Sequence, residues 1–362
     1  MTDHFHIGQT LIQPATVLAP MEGITDRPFR RMIRQLGGCG LTVTEFVSSD
    51  QLTKQSKRAW KMAELDPDEH PVSIQIYGRD PKAMAEAAQA CAGLGTDIID
   101  LNLGCPSKRV TGGCSGSALM KEPELASRIF EAVAKAIDIP MTVKMRLGWD
   151  TDQLNAAEIA QRAEDAGAQM VAVHGRTRMQ MYRGTADWVR IQEVKERVSI
   201  PVVVNGDVLT VDDALAALGQ SGADGVMVGR GILRDPWLLR RIADALQGKP
   251  SYIPSLDDRE THLLNYFRLI ESETNRPQKA IGRMKKVTGY FARGLPRADQ
   301  LRKSIFHSHE ISAIHDAVRH WFGQLDADGD IDSFGRITMD DATDFHDGDA
   351  RTLQRRAHVH TS

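Results

Sequence analysis

The sequence predicts an α/β chain, a (β/α)8 TIM barrel with a C-terminal helical bundle domain, and three observations carry that expectation. Apolar, β-branched runs alternate with stretches of helical periodicity through the first two thirds of the chain. Eight such units fit the number and the length, about 245 residues, of a closed barrel. After a Gly- and Pro-punctuated stretch, the pattern becomes helical throughout.

The strand candidates are 16–21 (TVLAPM), 41–47 (LTVTEFV), 72–77 (VSIQIY), 98–103 (IIDLNL), 141–146 (MTVKMR), 170–174 (MVAVH), 202–205 (VVVN) and 225–229 (GVMVG). Near-continuous apolar runs mean strands covered on both faces, and alternation with helices means parallel pairing through right-handed crossovers. Helices are expected at 81–94, 123–137, 155–166, 211–218 and 235–246. An open doubly wound sheet is disfavoured because no Gly-rich turn follows Met21. Residues 1–247 are therefore read as the barrel. Residues 248–254 (GKPSYIP) form a linker, and three helices at 259–274, 277–293 and 298–322 make a bundle spanning 255–323. Residues 324–362, acidic and poor in large apolar side chains, read as a disordered tail.

Composition narrows the function classes. The 362 residues are 41% hydrophobic and 26% charged, with no apolar run long enough to span a bilayer and no signal-peptide pattern at the start, so a soluble, cytoplasmic chain without a membrane partner is expected. Four cysteines (Cys39, Cys91, Cys105 and Cys114) form no CxxC pair, which argues against a disulfide framework or a zinc site. Residues 326–332 (DADGDID) resemble a calcium loop. With Gly329 at the sixth position, however, the first and twelfth positions are Gln324 and Gly335, neither a carboxylate, and no metal is expected. The net charge of −3 hides a segregation: nine Asp stand against one Arg over 325–350, and seven basic residues against one acid over 282–303. The second stretch, with Tyr290 and Phe291 interleaved and Arg283, Lys286 and Tyr290 near one helix face, reads equally as a solvated helix face or as a phosphate contact.

In a barrel of this kind the loops at the carboxyl ends of the strands build the site. Those positions hold Pro20, Met21 and Glu22; Glu45; Gln75; Asn102 with Cys105; Lys144 with Arg146; His174 with Arg176; Asn205, Gly206 and Asp207; and Gly229 with Arg230. The Asn-Gly-Asp and Gly-Arg-Gly runs after strands seven and eight suit a phosphate, since Gly lets backbone N–H groups approach it and Arg230 can pair with it. A strand-borne Lys144 with donors from Gln75 and His174 suits a flavin ring. Taken alone, the same residues suit a phosphosugar isomerase equally well. Cys105, at a strand end before Pro106 and a Gly-rich loop, reads as a reactive thiol, whereas Cys114 in that loop reads as a packing residue.

The motifs APMEGITDRPFR, LNLGCPSKRV with GGCSGSALM, VKMRLGW, VHGRTR with MYRG, VVVNGDV and GVMVGRGILRDPW occur in order and together. In them the chain resembles the tRNA-dihydrouridine synthases, most nearly the bacterial B-type branch, strongly over 10–240 and more loosely over 255–322. The resemblance implies an FMN enzyme that uses NADPH to reduce the C5–C6 double bond of a D-loop uridine in tRNA, with hydride passing from flavin N5 to C6 and a proton from Cys105 to C5. It implies that Pro20, Met21, Glu22, Gln75, Lys144, His174, Asn205, Gly206, Asp207, Gly229 and Arg230 bind the cofactor. Asn102, Arg176, Arg178, Arg283, Lys286 and Tyr290 are implied as substrate contacts. No obligatory protein partner is evident, and a monomer is expected. Two competing readings are an FMN reductase of a free pyrimidine or enone, for which the basic helical appendage would be superfluous, and a tRNA-binding protein indifferent to loss of Cys105.

Overall fold

Strands form where the chain strings β-branched and apolar residues together, and in the computed structural model, which describes residues 2–327, they close on themselves. β1 (Phe5–Ile7) and β2 (Thr10–Ile12) make an antiparallel hairpin. The barrel strands follow: β3 (Thr16–Leu18), β4 (Leu41–Val43), β5 (Val47–Ser48), β6 (Val72–Tyr77), β7 (Ile98–Leu103), β8 (Met141–Arg146), β9 (Ala168–His174), β10 (Val202–Asn205) and β11 (Gly225–Val228). All pair in parallel. β4 bonds to both β3 and β6, so β3, β4 and β6 to β11 form the predicted closed ring of eight, while β5 adds a short pairing to β6. The register sets Gln75 opposite Asp100, Asn102 opposite Lys144, and both Arg146 and Asn205 opposite His174, which gathers the polar strand ends at one mouth.

The hairpin closes the other end. Phe5, Ile7 and Ile12 pack with Ala15, Val17, Leu41, Ile98, Met170 and Val203, all buried. Gly225, the first residue of β11, sits so near Phe5 that an added Cβ would meet its ring at 2.6 Å. The outer helices begin on side-chain caps: Asp26 accepts from the Phe29 N–H, Asp80 from the Ala83 N–H, and Thr210 forms a reciprocal capping box with Asp213. The helix expected at 235–246 starts at Leu238. Pro236 offers no N–H, and Asp235 instead accepts from the Trp237 N–H.

The chain divides into two compact units, Met1–Ile232 with Leu238–Ser251, and Leu233–Trp237 with the residues from Tyr252 onward. Among the described residues the second unit holds four helices rather than the expected three: Leu256–Ser272, Pro277–Phe291, Ala298–His307 and Ile311–Ala327. The stretch expected as one helix over 298–322 breaks because its apolar stripe changes phase. Leu301 and Ile305 are buried, but the next buried positions are Ile314, Val318, Trp321, Phe322 and Leu325, out of step with a continuous turn, so the chain must reset to turn both halves inward. Trp237 packs edge-on to Phe291 in this unit, with the Arg259 guanidinium 5.3 Å from the Trp237 ring. Residues 324–327, expected in the tail, continue the last helix; the rest of the acidic segment, with its calcium-like run from 328 on, lies outside the described residues. Among the described residues, no helix is long and apolar enough to cross a membrane.

Candidate active site

At the mouth, two primary amides and a carboxylate form a continuous chain. Gly104 and Cys105 donate their backbone N–H groups to Asn102 Oδ1, at 3.1 and 2.9 Å. Asn102 Nδ2 donates to Gln75 Oε1 at 2.8 Å, Gln75 Nε2 donates to Asp100 Oδ2 at 2.5 Å, and the Thr142 hydroxyl donates to Asp100 Oδ1 at 2.6 Å. All four of these polar side chains are buried.

Cys105 is half-buried on the loop that follows β7. Its carbonyl accepts from both the N–H and the hydroxyl of Ser117. Gly116, at φ +58°, lies against it: an added Cβ would meet Cys105 O at 3.0 Å and Val110 Cγ1 at 2.7 Å, so this turn requires glycine. Burial pushes the Cys105 thiol up to about 11, against the pull of Arg146 and Lys144. The thiol therefore holds its proton throughout the neutral range.

Lys144 is half-buried within β8, and its Nζ donates to Asn205 Oδ1 at 3.0 Å; Asn205 in turn donates to the Met227 carbonyl. Desolvation, reinforced by the Arg146 charge, lowers the ammonium to about 8. His174 is buried beside four cations, and burial with those charges drives its pKa well below the ordinary value, so it is a neutral imidazole. The Arg176 guanidinium lies 3.4 Å from His174 Nε2. Because arginine can only donate, this assigns the imidazole proton to Nδ1.

The backbone after β10 takes left-handed turns at Gly206 (φ +115°) and Asp207 (φ +52°). A Cβ on Gly206 would meet Ala186 and the His174 ring at 2.9 Å. Asp207 accepts from both terminal nitrogens of Arg176, from Arg230 Nη2 at 3.2 Å and from the Ala186 N–H at 2.8 Å. Arg176 is 1% exposed and also donates to the carbonyls of Arg183 and Gly184. It is therefore an internal brace for Asp207, which corrects its expected place as a substrate contact. At Gly229 a Cβ would meet only Ala19 Cβ at 3.7 Å and Met21 Sδ at 3.9 Å, so the backbone there is open. Pro20, Met21 and Glu22 are half-buried at the end of β3. The Met21 N–H is held by the Thr25 hydroxyl. Arg178 is half-buried, with its guanidinium 4.8 Å from the Trp149 ring.

Several residues to which the sequence reading assigned no role complete the mouth. Arg146, buried, donates to the carbonyls of Gly104, Thr177 and Met181 at 2.8 Å each, tying the Cys105 loop to the loop after β9. The Tyr182 ring lies 5.6 Å from the Arg146 guanidinium and 4.8 Å from that of Arg230. Asp100 could have been noticed as a carboxylate inside the otherwise apolar strand IIDLNL. Glu45, 8% exposed, accepts the Gly23 N–H, and burial, with Asp26 and Glu22 nearby, raises its carboxyl to about 7. A carboxyl whose folded pKa exceeds its unfolded value supports the fold below about 4.5, and that support is lost as pH rises through 7. Glu45→Gln, which stays neutral, is expected to gain about 1–3 kcal/mol over the parent at pH 8 and nothing at pH 4. Urea melts of both proteins at the two pH values check this, and an equal difference at both would dismiss it.

In the helical unit Arg283 and Lys286 are half-buried on helix Pro277–Phe291. Tyr290 is 7% exposed, its hydroxyl has no hydrogen-bond partner among the described residues, and burial pushes it up to about 12. It belongs to the interior of this unit, which corrects its expected place on the RNA-facing side.

Residues 17–321 match the family model described as dihydrouridine synthase (Dus). A "Probable tRNA-dihydrouridine synthase" of Rhodobacter capsulatus is 47% identical over 319 residues, covering 87% of this chain and 97% of that protein. The "tRNA-dihydrouridine synthase B" of Pseudomonas aeruginosa is 37% identical, covering 89% and 97%. Among solved structures, a 2-naphthoyl-CoA reductase complex shares the fold with a TM-score of 0.53 at 15% identity, covering 68% of this chain and 52% of that one. With the family model spanning barrel and helical unit alike, and relatives matched over nearly their full length, the chain belongs to the dihydrouridine synthase family.

Proposed function

We propose that this dihydrouridine synthase holds FMN in the barrel mouth and, with NADPH as reductant, reduces the C5–C6 bond of a D-loop uridine in tRNA. The observation that carries the reading is Lys144. A half-buried ammonium with one neutral protein acceptor among the described residues keeps two N–H donors for a ligand, and the desolvation that lowers its pKa favours a ligand that carries negative charge. The residues around it fit a flavin mononucleotide. Gln75 and Lys144 would hold the ring, His174 would stand beside it, and Pro20, Met21 and Glu22 would line it. Asn205, Gly206, Asp207, Gly229 and Arg230 would take the ribityl chain and phosphate, with Asp207 keeping Arg230 in place.

Bound flavin supplies the hydride that NADPH delivers and C6 of the uracil receives. The protein does the rest. Asn102 offers an N–H to a uracil carbonyl, and Lys144 favours negative charge developing in the ring. Cys105, protonated at working pH, delivers the proton to C5 from the face opposite the hydride. The target base must leave its stack, at a cost of a few kcal/mol. Arg178 at the mouth and Arg283 and Lys286 on the helical unit supply phosphate contacts that offset it.

The test is a visible spectrum of the purified protein, followed on the same sample by the dihydrouridine content of unmodified tRNA incubated with it and NADPH. Flavin bands with new dihydrouridine are expected. Flavin bands without it would move the activity to a small-molecule reductase, and the absence of flavin would overturn the cofactor reading.

A further inference from the structure

We propose that Asp100 is a positioning residue that fixes which atoms of Gln75 and Asn102 face the ligand and so where the Cys105 loop sits. The hydrogen-bond chain has a single consistent direction. Two backbone N–H groups, Gly104 and Cys105, point at Asn102, and backbone donors cannot be reversed, so Asn102 must turn its oxygen to them. Its nitrogen then faces Gln75, which must present its own oxygen. The Gln75 nitrogen is thereby committed to finding an acceptor in a fully buried place, and the Asp100 carboxylate is the acceptor that meets it. The Thr142 hydroxyl occupies the other carboxylate oxygen and keeps the group from turning.

This order has a chemical consequence at the mouth. Each of the two amides spends one N–H inside the chain and keeps the other without a protein acceptor among the described residues. Both therefore offer donors rather than acceptors, a pattern suited to ring carbonyls such as those of a flavin or a uracil and unsuited to an exocyclic amino group. Without an acceptor at position 100, the buried Gln75 nitrogen is left unsatisfied. The amide then has reason to flip, and a flipped Gln75 faces the Asn102 nitrogen donor to donor. The disorder travels along the chain to the Cys105 N–H. Within the proposed function Asp100 touches neither substrate nor cofactor and acts only through Gln75 and Asn102.

The test compares Asp100→Ala with Asp100→Asn in the apoprotein, reading the rate at which iodoacetamide alkylates each cysteine by peptide mass spectrometry. Asparagine can offer its oxygen to Gln75 while the Thr142 hydroxyl turns to accept from its nitrogen, so it should behave like the parent. Alanine should raise Cys105 alkylation about tenfold, the consequence of losing one buried hydrogen bond. Cys39 and Cys91, both buried in the same unit, should stay unreactive. Unchanged Cys105 reactivity in Asp100→Ala, or a parallel rise at Cys39 and Cys91, would overturn the proposal, the second because it marks general loosening. Should the alanine variant not fold, side-chain amide NMR of the selectively labelled parent decides. Gln75 is expected to show one slowly exchanging, strongly shifted N–H, and two freely exchanging equivalents would be the contrary result. Dihydrouridine formation by the holoenzymes should follow the same order. A parent that makes none would sink the proposed function while leaving the thiol result standing.

Discussion

Under the proposed function, Cys105→Ala is expected to slow dihydrouridine formation about 10²–10⁴-fold, the usual contribution of a positioned general acid, while the protein keeps the visible bands of the proposed flavin. The separation of the two effects follows from the geometry. Cys105 is held by its backbone, through Asn102 Oδ1 and Ser117, and its side chain enters none of the hydrogen bonds that organise Gln75, Lys144 or Asn205. Removing the thiol therefore takes away a proton donor and little else. With burial raising the thiol to about 11, the donor is loaded at every pH from 6 to 9, and loss of its proton explains no fall in rate over that range. Single-turnover reaction of the reduced protein with unmodified tRNA gives the rate directly. A variant within threefold of the parent would mean that the proton comes from elsewhere.

Glu69→Ala is expected to cost about 3–5 kcal/mol of unfolding free energy, the range for stripping one partner from a buried ion pair. The Arg30 and Glu69 side chains are each 1% exposed. Arg30 donates Nε to Oε1 at 2.6 Å and Nη2 to Oε2 at 3.0 Å, and the Thr42 hydroxyl adds a third bond to Oε1. This pair joins the first barrel helix, Arg27–Leu36, to the segment that enters β6. Among the described residues, alanine would leave a buried guanidinium that keeps the carbonyls of Thr25 and Glu64. Replacing both partners with apolar residues of similar volume should cost far less, because no charge is stranded. Urea unfolding of the two variants measures both, and a loss below 1 kcal/mol for Glu69→Ala would show that water reaches Arg30.

Much of the barrel could be read from the chain because a buried parallel strand has a local signature. Runs such as VSIQIY and MTVKMR have few other stable placements. The hairpin before β3 had no such signal: its strands are three residues each, and their apolar side chains matter only against the barrel end they close. The break after His307 was readable in principle from the phase shift between Ile305 and Ile314, but sequence periodicity alone joined the two helices.

At the site, the sequence by itself determined which chemical groups stand at the strand ends, because the motif spacing and the two-residue period of a strand bring Gln75, Asn102, Lys144, His174 and Asn205 to one rim. What each group can do was decided by the tertiary structure. Arg176 and Arg178 are two residues apart in one motif, yet Arg176 is locked on Asp207 and buried while Arg178 is half-buried against Trp149. Tyr290 shares a helix with Arg283 and Lys286 but packs inward. Burial and partnership are sums over several segments: the carboxylate that orients Gln75 comes from the neighbouring strand, and beside the burial that lowers the His174 pKa stand charges from β8, from the end of its own strand and from Arg230 after β11. Residue identity is local, whereas the dielectric environment and the hydrogen-bond direction that turn identity into a protonation state exist only once the ring of strands has closed.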